Sequence, residues 1–220
     1  MPIELPLFPL HTVLFPGTPI HLHVFERRYE ALIADCMARR SPFGVVLIRS
    51  GLEALGPLPD PHAVGCTARI TGVEELGAGR LNVTAVGNER FRIVNLRSNA
   101  PYLLADVELM PLARGAPGAC RRPERALRVW LGRYLDMLAA ASETQEDLSP
   151  ERLPGDPQVL GYMAASLLPL PPSVKQELLA CAHLPELLTE VGRMYRHELP
   201  IVEALIAQQS RPAVGPFSQN

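Results

Sequence analysis

Lysine is almost absent from this sequence. Lys175 is the only lysine among 21 lysine and arginine residues in a chain of 220. Chemistry that needs an ε-amino group would therefore have to use Lys175, and we attribute the arginine excess to codon bias. The formal net charge is only -2 at pH 7, which argues against a general attraction to nucleic acid or another polyanion.

Paired cysteines and long apolar runs are missing too. The four cysteines, Cys36, Cys66, Cys120 and Cys181, are far apart and form no CxxC pair, which argues against a zinc site and a disulfide-stapled fold. No apolar run approaches the ~20 residues that cross a bilayer, and no basic stretch followed by an apolar run opens the chain. We expect reduced thiols in a soluble, cytoplasmic protein without a membrane partner.

Sequence patterns of common catalytic sites do not occur. Nothing matches GxxxxGK[ST], so no phosphate-binding loop is predicted, and no GxSxG is found. Lys175 has no serine in a dyad setting. We therefore predict no catalytic residue, no metal or other cofactor, and no enzymatic activity.

Proline is abundant, with 23 residues, and four prolines interrupt the apolar opening segment 5–29. A continuous helix could not tolerate them, so this segment should be extended. Because proline donates no hydrogen bond to a sheet, we predict an edge strand or a kinked extended segment, followed by a turn at Pro16-Gly17. Alternation over 20–25 then predicts a strand with Leu22 and Val24 on one face and the histidines with Phe25 on the other.

The remainder of the first half predicts one helix and several short strands. The helix should cover 26–39, and strands are predicted over 43–48, 64–73, 80–86, about 91–95 and 103–109. An exposed loop over 51–63 and turns at 74–79 and 87–88 should separate them. Short strands at this spacing favour a small barrel or sandwich over a parallel α/β sheet.

The second half predicts helices after a linker over 110–123. An apolar stripe predicts a helix over 124–142, and Asp156-Pro157 predicts the N-cap and first residue of the next one, which carries Val159, Leu160, Met163 and Leu167. Ser173 and Gln176 fit a capping box, Pro185 can begin a fourth helix, and Pro200 should kink or restart it. The tail 211–220 should be loose.

Seven landmarks occur in the order typical of the Lon protease N-terminal domain. They are Leu5-Pro-Leu-Phe-Pro-Leu10, Val13-Leu-Phe-Pro-Gly17, Phe25-Glu-Arg-Arg-Tyr29, Phe43-Gly-Val45, Val64-Gly65 before Ala68-Arg-Ile70, Gly79-Arg80, and Gly87 followed by Arg90-Phe91. The helical half, with Leu167-Leu-Pro-Leu170 and Lys175-Gln-Glu-Leu-Leu179, resembles the bundle that follows that domain. The resemblance therefore covers the whole domain.

This resemblance implies an α+β fold. We expect a PUA-like β pseudo-barrel of about six strands with one early helix over 1–112, and a helical bundle over 121–210. It also implies a non-enzymatic, stand-alone substrate-recognition module that binds apolar segments of unfolded or client polypeptides, with a separate protease or chaperone as a further partner. The oligomeric state is left open.

Four apolar residues of the opening segment are our candidates for polypeptide binding. Leu7, Phe8, Phe15 and Phe25 cannot all be guaranteed a place inside a small barrel, although burial is the alternative for each of them. An exposed apolar patch or an unpaired strand edge among them would capture extended polypeptide. We expect the binding groove to lie between the barrel and the helices.

Four polar residues are candidates for structural or recognition roles. Glu26, Arg28 and Tyr29 follow one another at a strand-to-helix corner, where we expect an ion pair between Glu26 and Arg28. Arg90 precedes Phe91 in a strand and should brace carbonyl groups or an acidic side chain. A structural role is the favoured interpretation for all of them.

Three other functions stay open as alternatives. His11, His21 and His23 could hold a metal, but no cysteine or carboxylate cluster completes the set. PUA-like folds also serve RNA, and nine arginines could gather despite the neutral total: Arg27, Arg28, Arg39, Arg40, Arg90, Arg92, Arg97, Arg121 and Arg122. An uncharacterised hydrolase, with acid-base work by Glu26 or Glu89, would need a polar pocket with perturbed titratable groups.

Overall fold

The computed structural model describes residues 2–54, 56–77, 79–97, 100–141 and 153–209. The strands are β1 (Ile3–Leu10), β2 (Pro19–Val24), β3 (Phe43–Ser50), β4 (Asp60–Gly77), β5 (Arg80–Arg97) and β6 (Leu103–Leu109). The helices are α1 (Arg27–Arg39), α2 (Arg121–Ala141), α3 (Pro157–Leu167), α4 (Pro172–Ala180) and α5 (Leu184–Gln209). The predicted loose tail lies outside the described residues.

The six strands form one mixed sheet that closes on itself. Their order is β2-β5-β4-β3-β1-β6, and β6 also pairs with β5, so five strands make a ring and β2 lies beside it. Only β1 and β3 run parallel; the other neighbours are antiparallel. The predicted α+β class, with six strands, one early helix and a helical second half, is confirmed.

The first strand is not at an edge, which was one of the two arrangements that we predicted for it. Its first half, Ile3 to Leu7, pairs with β6, and its second half, Leu7 to Leu10, pairs with β3. Each half therefore bonds on one side, which allows Pro6 and Pro9 to lack an N–H without breaking a ladder on both sides. The strand therefore lies between β3 and β6 in the sheet, with one pairing partner for each half.

The fourth and fifth strands are longer than predicted. The predicted turn at 87–88 is wrong, because β5 continues through it from Arg80 to Arg97. Gly87 is needed there for close packing: a Cβ atom would collide with the backbone carbonyl oxygen of Phe15. The end of the predicted loop 51–63 also belongs to a strand, since β4 begins at Asp60.

The helical half follows the predicted pattern with two corrections. Asp156 caps α3, accepting hydrogen bonds from the backbone N–H groups of Gln158 and Val159. The capping box at Ser173 is not formed, because the N-cap of α4 is Pro171, two residues before the predicted one, and the helix begins at Pro172. Pro200 does not restart the last helix, which runs from Leu184 to Gln209 with the proline inside it.

The halves share a core. The largest cluster of buried apolar side chains is mostly helical, but Phe15, Val64 and Leu112 from outside the helices belong to it. A second cluster fills the space between α1 and the sheet, and a small third one lies where β1 and β6 meet. Within the described residues, no helix is long and apolar enough to cross a membrane.

Candidate functional site

Three of the four apolar candidates are core residues. Leu7 and Phe15 are fully buried, and Phe8 is buried with its ring stacked on Tyr29 at 4.2 Å between centroids. Phe15 contacts the ring of Tyr162 on α3, at 6.0 Å between centroids. These three side chains therefore cannot meet a partner at the surface, and of the four only Phe25 is exposed, at 49%.

An apolar groove lies between the β-rich half and the helices, and we call it the interface groove. One wall is the segment 12–20, which joins β1 to β2, and the other is formed by α3 and the first turn of α4. Its volume is about 490 Å³. The lining residues are Thr12, Val13, Leu14, Pro16, Gly17, Thr18, Pro19, Ile20, Val159, Met163, Ser166, Leu167 and Lys175.

The helical wall of the interface groove presents apolar side chains to solvent. Val159, Met163 and Leu167 follow one another at four-residue intervals, so they form a ridge along α3. Val159 is 47% exposed and Leu167 is 42% exposed, whereas Leu160 on the neighbouring face is fully buried. The apolar residues that the sequence assigned to this helix therefore divide between a core face and a groove face.

Lys175 is the charged side chain of the interface groove. Its ammonium Nζ donates a hydrogen bond to the backbone carbonyl of Ser166 at 2.9 Å. No aspartate or glutamate of the described residues lies within ion-pair distance of it. Partial burial lowers the pKa of Lys175 because it disfavours the charged amine.

The corner at the start of α1 contains the predicted ion pair. Arg28 contacts the carboxylate of Glu26 at 3.0 Å, and both side chains are largely buried. Arg28 also donates to the carbonyl of Gly56 at 3.0 Å, which ties the helix to the loop before β4. Its guanidinium lies 4.8 Å from the ring centre of Tyr29, whose pKa is raised to about 12, chiefly by burial. The ion pair that the sequence predicted between Glu26 and Arg28 is therefore present.

Arg90 is buried between the two halves. Its Nη1 donates hydrogen bonds to the carbonyl oxygens of Leu179 and Cys181, at 2.6 Å and 2.5 Å, at the C-terminal end of α4. Carbonyl groups at this end of a helix have no partner within the helix, and the helix dipole favours a cation there. Burial lowers the pKa of Arg90. Arg90 thus contacts carbonyl groups, as the sequence predicted, and Gln176 adds a third hydrogen bond between the halves, from Nε2 to the carbonyl of Val64 at 2.9 Å.

Comparison with known proteins identifies the family. Residues 4–196 match the family described as the ATP-dependent protease La (LON) substrate-binding domain. The chain belongs to this family. It is 28% identical over 210 residues to a Lon protease of Syntrophus aciditrophicus, which covers 92% of this chain but only 26% of that protein. A Lon protease 2 of Myxococcus xanthus is 35% identical over 109 residues, which are 49% of this chain and 13% of that protein.

Solved structures of Lon N-terminal domains have the same fold. A Lon N-terminal domain protein from Xanthomonas campestris superimposes with a TM-score of 0.60 and 29% identity, over 86% of this chain and 96% of that one. The N-terminal domain of Lon protease from the Mycobacterium avium complex gives a TM-score of 0.69 at 17% identity, over 88% and 98% of the two chains. This chain thus spans about a quarter or less of the length of the curated Lon proteases above.

The histidines considered for metal binding have polar partners in this Lon-type domain. Nδ1 of His23 lies 3.0 Å from the side-chain oxygen of Asn82, and Nδ1 of His21 lies 3.3 Å from the hydroxyl of Thr84. His11 is exposed, and its backbone N–H donates to Glu53. No group of three or more potential metal ligands occurs among the described residues.

Three of the arginines named for RNA binding have partners within the protein or are buried. Arg28 is paired with Glu26, and Arg90 is buried. Arg97 forms ion pairs with Glu4 at 2.9 Å and Asp106 at 2.6 Å. Three of the nine arginines are therefore engaged by groups of the protein itself, Arg97 at the surface and the other two in largely buried positions.

A smaller basic surface lies on α2. The sequence prediction named two of its four arginines, Arg121 and Arg122. This surface consists of Arg121, Arg122, Arg125, Trp130 and Arg133, and we call it the α2 basic surface. All four arginines are exposed, and the guanidinium of Arg133 lies 5.1 Å from the ring centre of Trp130. Arg125 lies three and four residues after Arg122 and Arg121, and Arg133 lies three residues after Trp130, so helical spacing could have identified this surface before the structure.

Proposed function

We propose that this domain binds apolar segments of unfolded or client polypeptides in the interface groove. The observation that carries the proposal is the exposed apolar ridge of α3, where Val159 and Leu167 face a groove instead of the core. Exposed apolar surface in a concave site gains free energy when a ligand removes it from water. Membership in a family described as substrate-binding domains supports the proposal.

The dimensions of the groove fit a short stretch of polypeptide. From Val159 to Leu167 the helix rises by about 12 Å, at ~1.5 Å per residue. An extended chain advances about 3.3 Å per residue, so roughly four residues would lie along the ridge. A segment of four apolar residues is common in unfolded chains and rare on folded surfaces, which would give the domain a preference for unfolded clients.

We propose that binding is the whole contribution of this domain. In this view it is non-enzymatic, acts in the cytoplasm, and delivers bound polypeptide to a protease or chaperone. The match to the substrate-binding domain alone, without a peptidase or ATPase match, supports this role. The relatives named Lon protease are the reason for a proteolytic partner.

A capture experiment with a matched pair of variants tests the proposal. The full chain is immobilised and presented with a reduced, carboxymethylated polypeptide, the same protein in its native state, and RNA at about 150 mM salt. Val159→Asp places a charge in the interface groove and should weaken capture of the unfolded chain by about tenfold or more, because the carboxylate must lose water when the groove fills.

The control is Val129→Asp, at a helical valine of similar exposure, 51%, on α2 and away from the groove. This variant should capture unfolded polypeptide like the parent protein. Equal capture by all three proteins would show that the groove is not the binding site. Failure of the parent to retain any unfolded polypeptide would contradict the proposed function itself.

A second candidate function is binding of single-stranded RNA, and the α2 basic surface favours it. Exposed arginines beside a tryptophan combine phosphate contacts with an aromatic ring near the bases. RNA retained at low salt and lost as salt rises, with no polypeptide captured, would support this function. Replacing Arg121, Arg122 and Arg125 by glutamine should then abolish retention.

A further inference from the structure

The interface groove combines an apolar lining with one positive charge. Of its thirteen lining residues only Lys175 is ionisable, and the others are apolar or carry hydroxyl groups. The chain has no other lysine. A single unpaired cation in an apolar groove costs solvation free energy that an incoming anion would offset.

The position of Lys175 relative to the ridge defines where such an anion would lie. Nζ bonds to the carbonyl of Ser166, next to Leu167, at the C-terminal end of α3. The cation therefore marks one end of the apolar ridge. One hydrogen bond to Ser166 leaves two N–H donors of the ammonium for a ligand.

We propose that the interface groove selects apolar segments that carry an aspartate or glutamate at one end, and that this carboxylate binds Nζ of Lys175. The inference rests on the proposed function, because it assigns the chemistry of the segment held in the same groove. An acidic side chain is the source we favour over a chain terminus. An unfolded polypeptide presents many internal segments and only one C-terminal carboxylate.

Three peptides test the inference, two blocked at both ends and one blocked only at its N-terminus. The first has four apolar residues followed by aspartate, the second has asparagine instead, and the third replaces the acid by a free C-terminal carboxylate. We expect the aspartate peptide to bind about five- to tenfold more tightly than the asparagine peptide, the difference that a charge-assisted hydrogen bond supplies at a partly exposed site. The preference should shrink as salt rises.

Two variants connect the preference to Lys175. Lys175→Met keeps the length of the apolar stem and should remove the preference while both peptides still bind. Lys175→Arg should retain most of it. A preference unchanged in Lys175→Met would overturn the inference, as would equal binding of the aspartate and asparagine peptides to the parent.

The outcomes separate this inference from the proposed function. Equal binding of both peptides, weakened for both by Val159→Asp, would leave the groove as a polypeptide site and remove the role of the carboxylate. No binding of any peptide would overturn both. Tight binding of the free C-terminal peptide alone would overturn the inference in favour of recognition of chain ends.

The parent protein provides a measurement that does not depend on a folded variant. Because Lys175 carries the only side-chain amine, acylation by an amine reagent can be followed by mass spectrometry at this one residue. A saturating aspartate peptide should slow acylation of Lys175 more than a saturating asparagine peptide does. Equal protection by the two peptides would contradict the inference.

Discussion

Around Arg90 the β-rich half and the helices are joined by buried polar bonds, whereas around Lys175 they face each other across an open apolar groove. Arg90 and Lys175 are both cations that donate hydrogen bonds to backbone carbonyl groups. Those carbonyl groups lie at the C-terminal end of a helix, α4 for Arg90 and α3 for Lys175. Arg90 is 3% exposed and bonds to two carbonyl groups, while Lys175 is half-buried and bonds to one. The two cations therefore differ in their access to a ligand: Lys175 can still contact one, whereas Arg90 is buried.

The comparison indicates how one interface can serve two purposes. Directed bonds from Arg90 and Gln176, together with the contact between Phe15 and Tyr162, hold the helices in position. The groove wall is then free to expose Val159 and Leu167, because the position of α3 does not depend on burying those two side chains. Rigidity at one place permits an unfilled apolar surface at the other.

The largest effect on stability should come from Arg90→Met. Methionine fills much of the volume but leaves two buried carbonyl oxygens at the end of α4 without a donor, which should lower the free energy of unfolding by about 3 kcal/mol. Urea unfolding of the full chain measures this change in the free energy of unfolding. Arg92→Met, at an exposed position on the same strand, is the control and should change stability little. A similar loss in both variants would contradict the bracing role of Arg90.

A slightly smaller loss should follow from Gly87→Ala. The added methyl group must displace the backbone at Phe15, since the clash is with its carbonyl oxygen, and overpacking of this kind costs about 2 kcal/mol. Gly72→Ala on β4 is the matched change, because the nearest atom to its Cβ is 3.9 Å away. Equal thermal midpoints of Gly87→Ala and Gly72→Ala would mean that β5 and the segment before β2 can move apart without loss of stability.

Changes in the interface groove should leave stability almost unaltered. Val159→Asp changes an exposed side chain in the first turn of α3, where a carboxylate is favoured, so the free energy of unfolding should move by less than about 0.5 kcal/mol. The capture of unfolded polypeptide should nevertheless fall, as described above. If Val159→Asp lost stability as well as binding, the proposed distinction between the bonded region around Arg90 and the open interface groove would be wrong.

The smallest effect concerns the titration of Lys175. Its pKa is lowered in the folded protein, so the unfolded chain holds its proton to higher pH, and this group contributes stability that increases as pH rises between the two pKa values. The reactivity of the amine with an acylating reagent should reach its midpoint at lower pH in the native protein than in denaturant. Coincident midpoints would contradict this prediction.

Local sequence patterns predicted most helices and strands, but not which strands pair with each other. Alternation over 20–25 placed Leu22 and Val24 on one strand face, which the structure shows to be buried, and Asp156 before Pro157 marked a helix start that the structure confirms. The prolines of β1 suggested an edge, since sequence does not tell which half of a strand bonds to which partner. Pairing on opposite sides in the two halves is a long-range property of the closed sheet.

The candidate site was less predictable than the fold. Leu7, Phe8 and Phe15 were candidates for exposure because a small barrel has limited room, yet helices supplied by residues beyond 120 enlarge the core and bury Phe15. Val159 and Lys175 were assigned to helices without a role in binding. They line a groove because residues 12–20 form its opposite wall. Those residues lie about 140 or more positions earlier in the chain, so a local sequence pattern does not connect the two walls.

The closure of the sheet affects how this chain is made. Leu7 pairs with Leu103 as well as with Gly44, so the first strand gains its second partner only when β6 has left the ribosome. At about 5–20 residues per second, synthesis of the intervening segment takes on the order of 5–20 s. During that interval the apolar opening of the nascent chain lacks its final partner, so a protein proposed to hold unfolded chains passes through the same exposed state as its proposed clients.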